Sequence, residues 1–198
     1  MSGSCMLTII GQNCYTIDMK AFDEIFAIAE GNFGLVTYSE AKGCGVAIRE
    51  LDRWVKSGRL EKVSRGVYRI AKFPVSEFDS FAAATEAIGP EAYLYGESVV
   101  GMLRLVPTNP TWIYVASPKR VRRTVSASLK IVRGLPDYAF TNYEGVRCQH
   151  LADAIRASRG NIRPDRRIKA VREGERQGYL TKSEATKLIK EIKHDAAS

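Results

Sequence analysis

The chain has 198 residues, 45% of them hydrophobic, and a formal net charge of +8. This length suits one domain or two small ones, and the apolar content excludes an intrinsically disordered chain. No apolar run approaches the ~20 residues that span a bilayer. No basic stretch precedes an apolar one at the N-terminus, so no secretory signal and no membrane partner are read, and the expected location is cytoplasmic. The four cysteines, Cys5, Cys14, Cys44 and Cys148, form no CxxC pair. A zinc site and a disulfide framework are therefore not expected, and the thiols are read as buried or partly buried.

The positive charge is unevenly placed. Residues 31–73 carry nine Lys and Arg against four acids, whereas 1–30 and 74–118 are net acidic. Two further basic blocks lie at 119–147 and 148–198.

In chain order, residues 1–17 are compatible with either a hairpin or a loosely packed arm. Asp18 is expected to cap a helix running to about Glu30, with Phe22, Ile25, Phe26 and Ala29 on its apolar face and Gly31 as its stop. Thr37 and Glu40 form a capping box for a short helix. Gly43 and Gly45 mark a turn. A basic helix is expected over Val46–Ser57, about 18 Å long, with Ile48, Leu51 and Val55 inward, Trp54 beside them, and Arg49, Arg53 and Lys56 on another face. Gly58 is a C-cap candidate. A basic hairpin follows from Glu61 to Ile70, turning at Arg65-Gly66. Lys72-Phe73-Pro74 reads as a linker.

Beyond it, Ser76 is expected to cap a helix through Ile88, with Phe78, Phe81, Ala82 and Thr85 inward. Residues 93–95, 112–116 and 129–133 read as strands, with 145–148 as a candidate fourth, and 97–105 as a helix. The tail reads as helices at about 151–158, 164–177 and 181–194. Pro164 suits a first turn, and Thr181 with Glu184 forms a second capping box. The fold class is α/β (α+β): an N-terminal winged helix-turn-helix over 18–73, then a mixed α/β domain over 74–198, with 1–17 unassigned.

A helix-turn-helix followed by a basic hairpin is the order used by readers of the DNA major groove. Ala47 and Arg49 stand nearest the start of the second helix, where base edges are reached. Arg53, Lys56, Arg59, Lys62, Arg65 and Arg69 are candidates for bases or backbone. Thr37, Tyr38 and Ser39 are candidates to hold a phosphate at a helix N-terminus. Lys119, Arg120, Arg122 and Arg123, and the helical row Lys169, Arg172 and Arg176 within the cluster that also holds Arg163, Arg166 and Arg167, form weaker candidate surfaces. These extend a DNA footprint, hold RNA, meet an acidic partner, or are simply solvated. Asp52 is placed to pair with Lys56. The aromatic residues Trp54, Tyr68, Phe73, Trp112 and Tyr114 are read as core.

Catalysis finds no motif. His150 and His194 are far apart, Asp153 reads as a cap-side charge, and no GxSxG, Walker A or HExxH sequence occurs. No catalytic residue, metal or cofactor is expected, and the chain is not read as an enzyme.

The string from Gly34 to Tyr68, above all GRLEKVSRGVYRI, resembles the N-terminal winged helix of AbiEi-type antitoxins of abortive-infection E systems. The stretch Tyr93–Leu103, the ADAI at 152–155 and GYLTKSEATKLIKEI at 178–192 resemble that family's C-terminal antitoxin domain in order more than in letters. The resemblance covers about residues 18–195 and leaves 1–17 aside. It implies an autoregulatory repressor of double-stranded inverted repeats in its own promoter, acting in phage defence and self-associating on DNA. It also implies a C-terminal domain that neutralises a nucleotidyltransferase-like toxin without a stable complex, the type IV arrangement. By position it assigns DNA contact to Arg49, Arg53, Arg59, Lys62 and Arg65, and gives Arg120, Arg122 and Arg123 to antitoxicity or extra DNA contact. The alternatives are a stand-alone winged-helix regulator whose C-terminal domain dimerises or senses a ligand, a nuclease with a DNA-targeting arm, and an RNA-binding regulator using the two later basic blocks.

Overall fold

A computed structural model describes residues 8–108, 110–122 and 124–197. The chain divides into two units, Met1–Glu77 and Phe78–Ser198. No helix among the described residues is long and apolar enough to cross a membrane.

The first unit runs α1 (Thr8–Glu30), β1 (Leu35–Thr37), α2 (Tyr38–Gly43), α3 (Ile48–Lys56), β2 (Leu60–Ser64) and β3 (Val67–Ile70). Its three strands pair antiparallel in the order β1-β3-β2. Local chemistry sets most boundaries. Thr37 Oγ1 accepts from the Glu40 amide at 3.3 Å, and the Glu40 carboxylate accepts from the Thr37 amide at 2.7 Å, so both halves of the capping box are present. α3 ends on Gly58 with φ +74. The Gly58 amide donates to the Val55 carbonyl and the Arg59 amide to the Trp54 carbonyl, which satisfies the last turn. Ile25, Val36, Leu51, Trp54, Leu60 and Tyr68 make the centre of the core. Phe22 meets Trp54 edge-on, with centroids 5.1 Å apart.

Four expectations change here. The first helix begins at Thr8 rather than after Asp18, so neither a hairpin nor an arm occupies 8–17. Once a helix is nucleated each added residue gains a hydrogen bond, and Gly11 costs only about 1 kcal/mol. Residues 1–7, with Cys5, lie outside the described residues. On α1 Phe26 points outward at 40% exposure, and Ile28 takes its place against the core. α3 has nine residues, not twelve, giving about 14 Å. Its buried residues are Leu51 and Trp54, while Ile48 is 50% exposed.

The second unit holds α4 (Asp79–Ile88), β4 (Tyr93–Leu94), α5 (Glu97–Met102), β5 (Ile113–Ser117), β6 (Leu129–Arg133), β7 (Thr141–Tyr143), β8 (Val146–Cys148), α6 (Leu151–Ala157), α7 (Pro164–Arg176) and α8 (Lys182–Ala197). The five strands stand in the order β6-β5-β4-β8-β7. β5 and β6 are parallel, as are β4 and β8, while β4–β5 and β7–β8 are antiparallel. The sheet is therefore mixed, with α4 packing on β5 and β8. The capping box at Thr181 and Glu184 forms, and Pro164 sits in the first turn of α7.

The α4 helix starts after Phe78, not at Ser76, and Phe78 and Phe81 are only half-buried beside the buried Ala82 and Thr85. α5 stops at Met102 because the backbone turns left-handed at Arg104, φ +51. Strand β7 carries no sequence signal of its own. Thr-Asn-Tyr has no apolar alternation, and its turn to β8 places Glu144 at φ +51 before Gly145 at φ +80, a shape usually signalled by Asn-Gly. Trp112 lies outward at 41% exposure, whereas Trp54, Tyr68 and Tyr114 are buried and Phe73 is half-buried. Cys148 is buried and Cys44 half-buried.

Candidate nucleic-acid interface

In the first unit the chain turns from α2 to α3 through Gly45, φ +76, so the second helix presents one face to the core and the other outward. Leu51 and Trp54 anchor the inner face. Ala47, Ile48, Arg49, Asp52, Arg53 and Lys56 are all exposed. Arg49 and Lys56 lie seven residues apart, two turns along the same outer face. Arg53 Nη2 lies 2.7 Å from the Glu50 carboxylate, so its charge is partly neutralised within the helix. On the adjoining hairpin Lys62 and Arg65 are exposed, with Gly66 closing the turn at φ +78.

Two expected contacts are held inside the unit instead. The Arg59 guanidinium lies 3.7 Å from the Phe22 ring centroid and 5.7 Å from that of Trp54. Arg69 Nη2 donates to the carbonyls of Phe73 and Pro74, at 3.4 and 3.0 Å. Each is half-buried. Their fixed geometry comes from partners distant in sequence or on the following turn, which no spacing rule on α3 or the hairpin exposes.

The expected phosphate site at Thr37, Tyr38 and Ser39 is likewise occupied. The Thr37 amide is bound by Glu40, the Tyr38 amide donates to the Gly66 carbonyl at 2.8 Å, and the Glu40 amide is bound by Thr37. The Glu40 carboxylate therefore stands where an anion would have to sit.

In the second unit Lys119, Arg120 and Arg122 are exposed and line a groove of about 300 Å³ with residues 88–92 and Ser117. Lys119 Nζ is 2.7 Å from the Glu91 carboxylate. Arg123 lies outside the described residues. Lys169, Arg172 and Arg176 are exposed on α7. Arg176 is paired with Glu173, and the bonds from Arg176 and Gln177 hold the Glu173 carboxyl down to about 2. Arg167, from the same basic run, is buried and donates to the Ile155 carbonyl at 3.0 Å, closing the end of α6. It belongs to the core, and burial lowers its pKa from the usual arginine range.

Among the described residues no group of three or more His, Cys, Asp or Glu side chains stands in position to hold a metal ion.

Residues 23–71 match the model of a family described as transcriptional regulator, AbiEi antitoxin. The match falls on the stretch that contains GRLEKVSRGVYRI and all of α2, α3 and the hairpin. No curated protein matches the chain.

Proposed function

We propose that this protein represses its own operon by binding inverted repeats upstream of its gene, a reading supported by the match of residues 23–71 to the model of the AbiEi antitoxin regulators. The observation that carries the reading is the outward face of α3. Ala47, Arg49 and Lys56 are exposed there, on a helix whose opposite face is locked into the core, with Lys62 and Arg65 on the hairpin that follows. α3 enters the major groove by its N-terminal end, where a side chain such as Arg49 reaches guanine O6 and N7. Lys56, Lys62 and Arg65 take phosphates, which fixes register without reading sequence. Binding to inverted repeats is served by self-association on DNA.

The second unit, in this reading, neutralises a nucleotidyltransferase-like toxin in the type IV manner, without a stable complex. The pair forms an abortive-infection system in phage defence in the cytoplasm. Lys119, Arg120 and Arg122 around their groove, and Lys169 and Arg172 on α7, are the surfaces proposed for that role or for extra nucleic-acid contact. No catalytic step by this chain is part of the reading.

Fluorescence anisotropy tests the repressor half, with the duplex upstream of the protein's own gene against a scrambled duplex, at two salt concentrations. Selective binding is expected, with each phosphate contact adding about 0.9 to the salt slope. Arg49→Ala is expected to weaken selective binding by about 1–3 kcal/mol, the worth of one good base contact. Equal binding to both duplexes overturns the reading. Growth rescue on co-expression with the neighbouring toxin gene tests the second half, and binding without rescue leaves a stand-alone regulator.

A further inference from the structure

The N-terminal end of α3 is built against the rules of helix stability. Its N-cap is Ala47, in extended backbone (φ −77, ψ 154), with no side-chain cap bond. Ser, Thr, Asp or Asn there would bind an amide of the first turn and stabilise the helix. The first helical residue, Ile48, is β-branched and half exposed, while Leu51 and Trp54 of the same helix are buried. A half-exposed isoleucine gains only part of the burial energy that a buried apolar side chain brings to a fold. The two positions that open the helix thus show apolar surface that the folded unit leaves open. They sit directly before Arg49, on a helix whose outward side also carries Arg53 and Lys56.

That combination fits one kind of surface. A polyanion draws in the cationic face, and it must show an apolar group within reach of the first turn. In the major groove the base-edge group of that kind is the C5-methyl of thymine. We propose that Ile48, with Ala47 beside it, is a specificity-determining contact that packs on a thymine methyl next to the base read by Arg49. This inference rests on the DNA-binding reading above and fails separately from it. Binding that is selective but indifferent to the methyl overturns only this contact.

The test removes the methyl without touching a hydrogen bond. The upstream duplex is made with deoxyuridine in place of thymidine, at all sites and then one site at a time, and anisotropy compares the two duplexes for the wild type and for Ile48→Ala. Burying one methyl-sized group is worth about fourfold in affinity. The wild type is expected to bind the thymidine duplex at least about fourfold more tightly, at one thymine position in each half-site. Ile48→Ala is expected to bind both duplexes alike, at the level of the wild type on the deoxyuridine duplex, with an unchanged melting temperature. A wild type that does not distinguish the duplexes overturns the proposal. So does an Ile48→Ala protein that still does. Equal binding to upstream and scrambled duplexes removes the groove itself and overturns both readings.

Discussion

The Arg59 guanidinium lies 3.7 Å from the centre of the Phe22 ring, joining the residue after the α3 stop to the middle of α1. A cation over an aromatic face is worth about 0.5–1 kcal/mol at exposed sites and more when desolvated, and the arginine stem adds apolar contact. Arg59→Ala is therefore expected to lower stability of the first unit by about 1–2 kcal/mol, read by thermal melting, and to leave DNA affinity nearly unchanged once folded protein is compared. A large affinity loss without a melting shift returns Arg59 to the interface.

The Glu50–Arg53 pair has the opposite consequence. Both side chains are about half exposed, at 40% and 52%, so the pair contributes little to stability. Glu50→Gln removes a negative charge from the proposed DNA face, and with it the carboxylate that partly neutralises Arg53. It is expected to tighten duplex binding about threefold at low salt and to steepen the salt slope by up to about 0.9. Stability falls by about 0.5 kcal/mol, because Glu50 also complements the positive end of the helix. Titrations at several salt concentrations decide it, and weaker binding would mean that Glu50 positions Arg53 for its contact.

Gly34 and Gly58 share φ +74, yet they differ in what surrounds them. A Cβ on Gly34 would stand 2.5 Å from Cγ of the Phe73 ring, whereas one on Gly58 meets nothing within 4 Å. Gly58→Ala is expected to cost about 1–2 kcal/mol, the left-handed backbone penalty alone. Gly34→Ala adds an overpacking cost and is expected to lose about 3 kcal/mol or more. Urea melts of the two variants measure the difference, and equal losses would show that Phe73 moves aside freely.

Burial pushes the Cys148 thiol up to about 12. Its folded pKa is thus above the unfolded one, near 8.5. The unfolded chain loses the proton first, so the contribution is complete below pH ~8.5 and is lost as pH rises toward 12, at about 1.4 kcal/mol per unit at most. Stability of the second unit is expected to fall across that window, and Cys148→Ala to flatten part of the fall. In a variant keeping Cys148 as its sole cysteine, alkylation at pH 8 is expected to be far slower than for an unfolded control. Rapid labelling of the folded variant would show that β8 opens.

Features whose partners lie within a few residues can be read from the chain alone. The boxes at Thr37 and Thr181 each close over a three-residue span, the α3 stop at Gly58 needs only a left-handed glycine, and the Arg65-Gly66 turn joins adjacent strands. Hence α2, α3, the hairpin and the last helix were readable in advance. Periodicity gave the spacing of Ile48, Leu51 and Val55 but not where the core ends. That Ile48 lies beyond it, and that Leu51 and Trp54 carry the contact, follows from the packing, because burial depends on which surface arrives from α1 and the sheet. The same holds for charge. Arg49, Arg59, Arg69 and Arg167 read alike in sequence, but one faces solvent, one lies on Phe22, one is tied to the Phe73 and Pro74 carbonyls, and one closes the end of α6. Strand order β6-β5-β4-β8-β7 was equally hidden: three of its pairings join consecutive strands, but the order turns on Leu94 of β4 pairing with Cys148 of β8, far apart along the chain, and the entropy of that closure leaves no local mark.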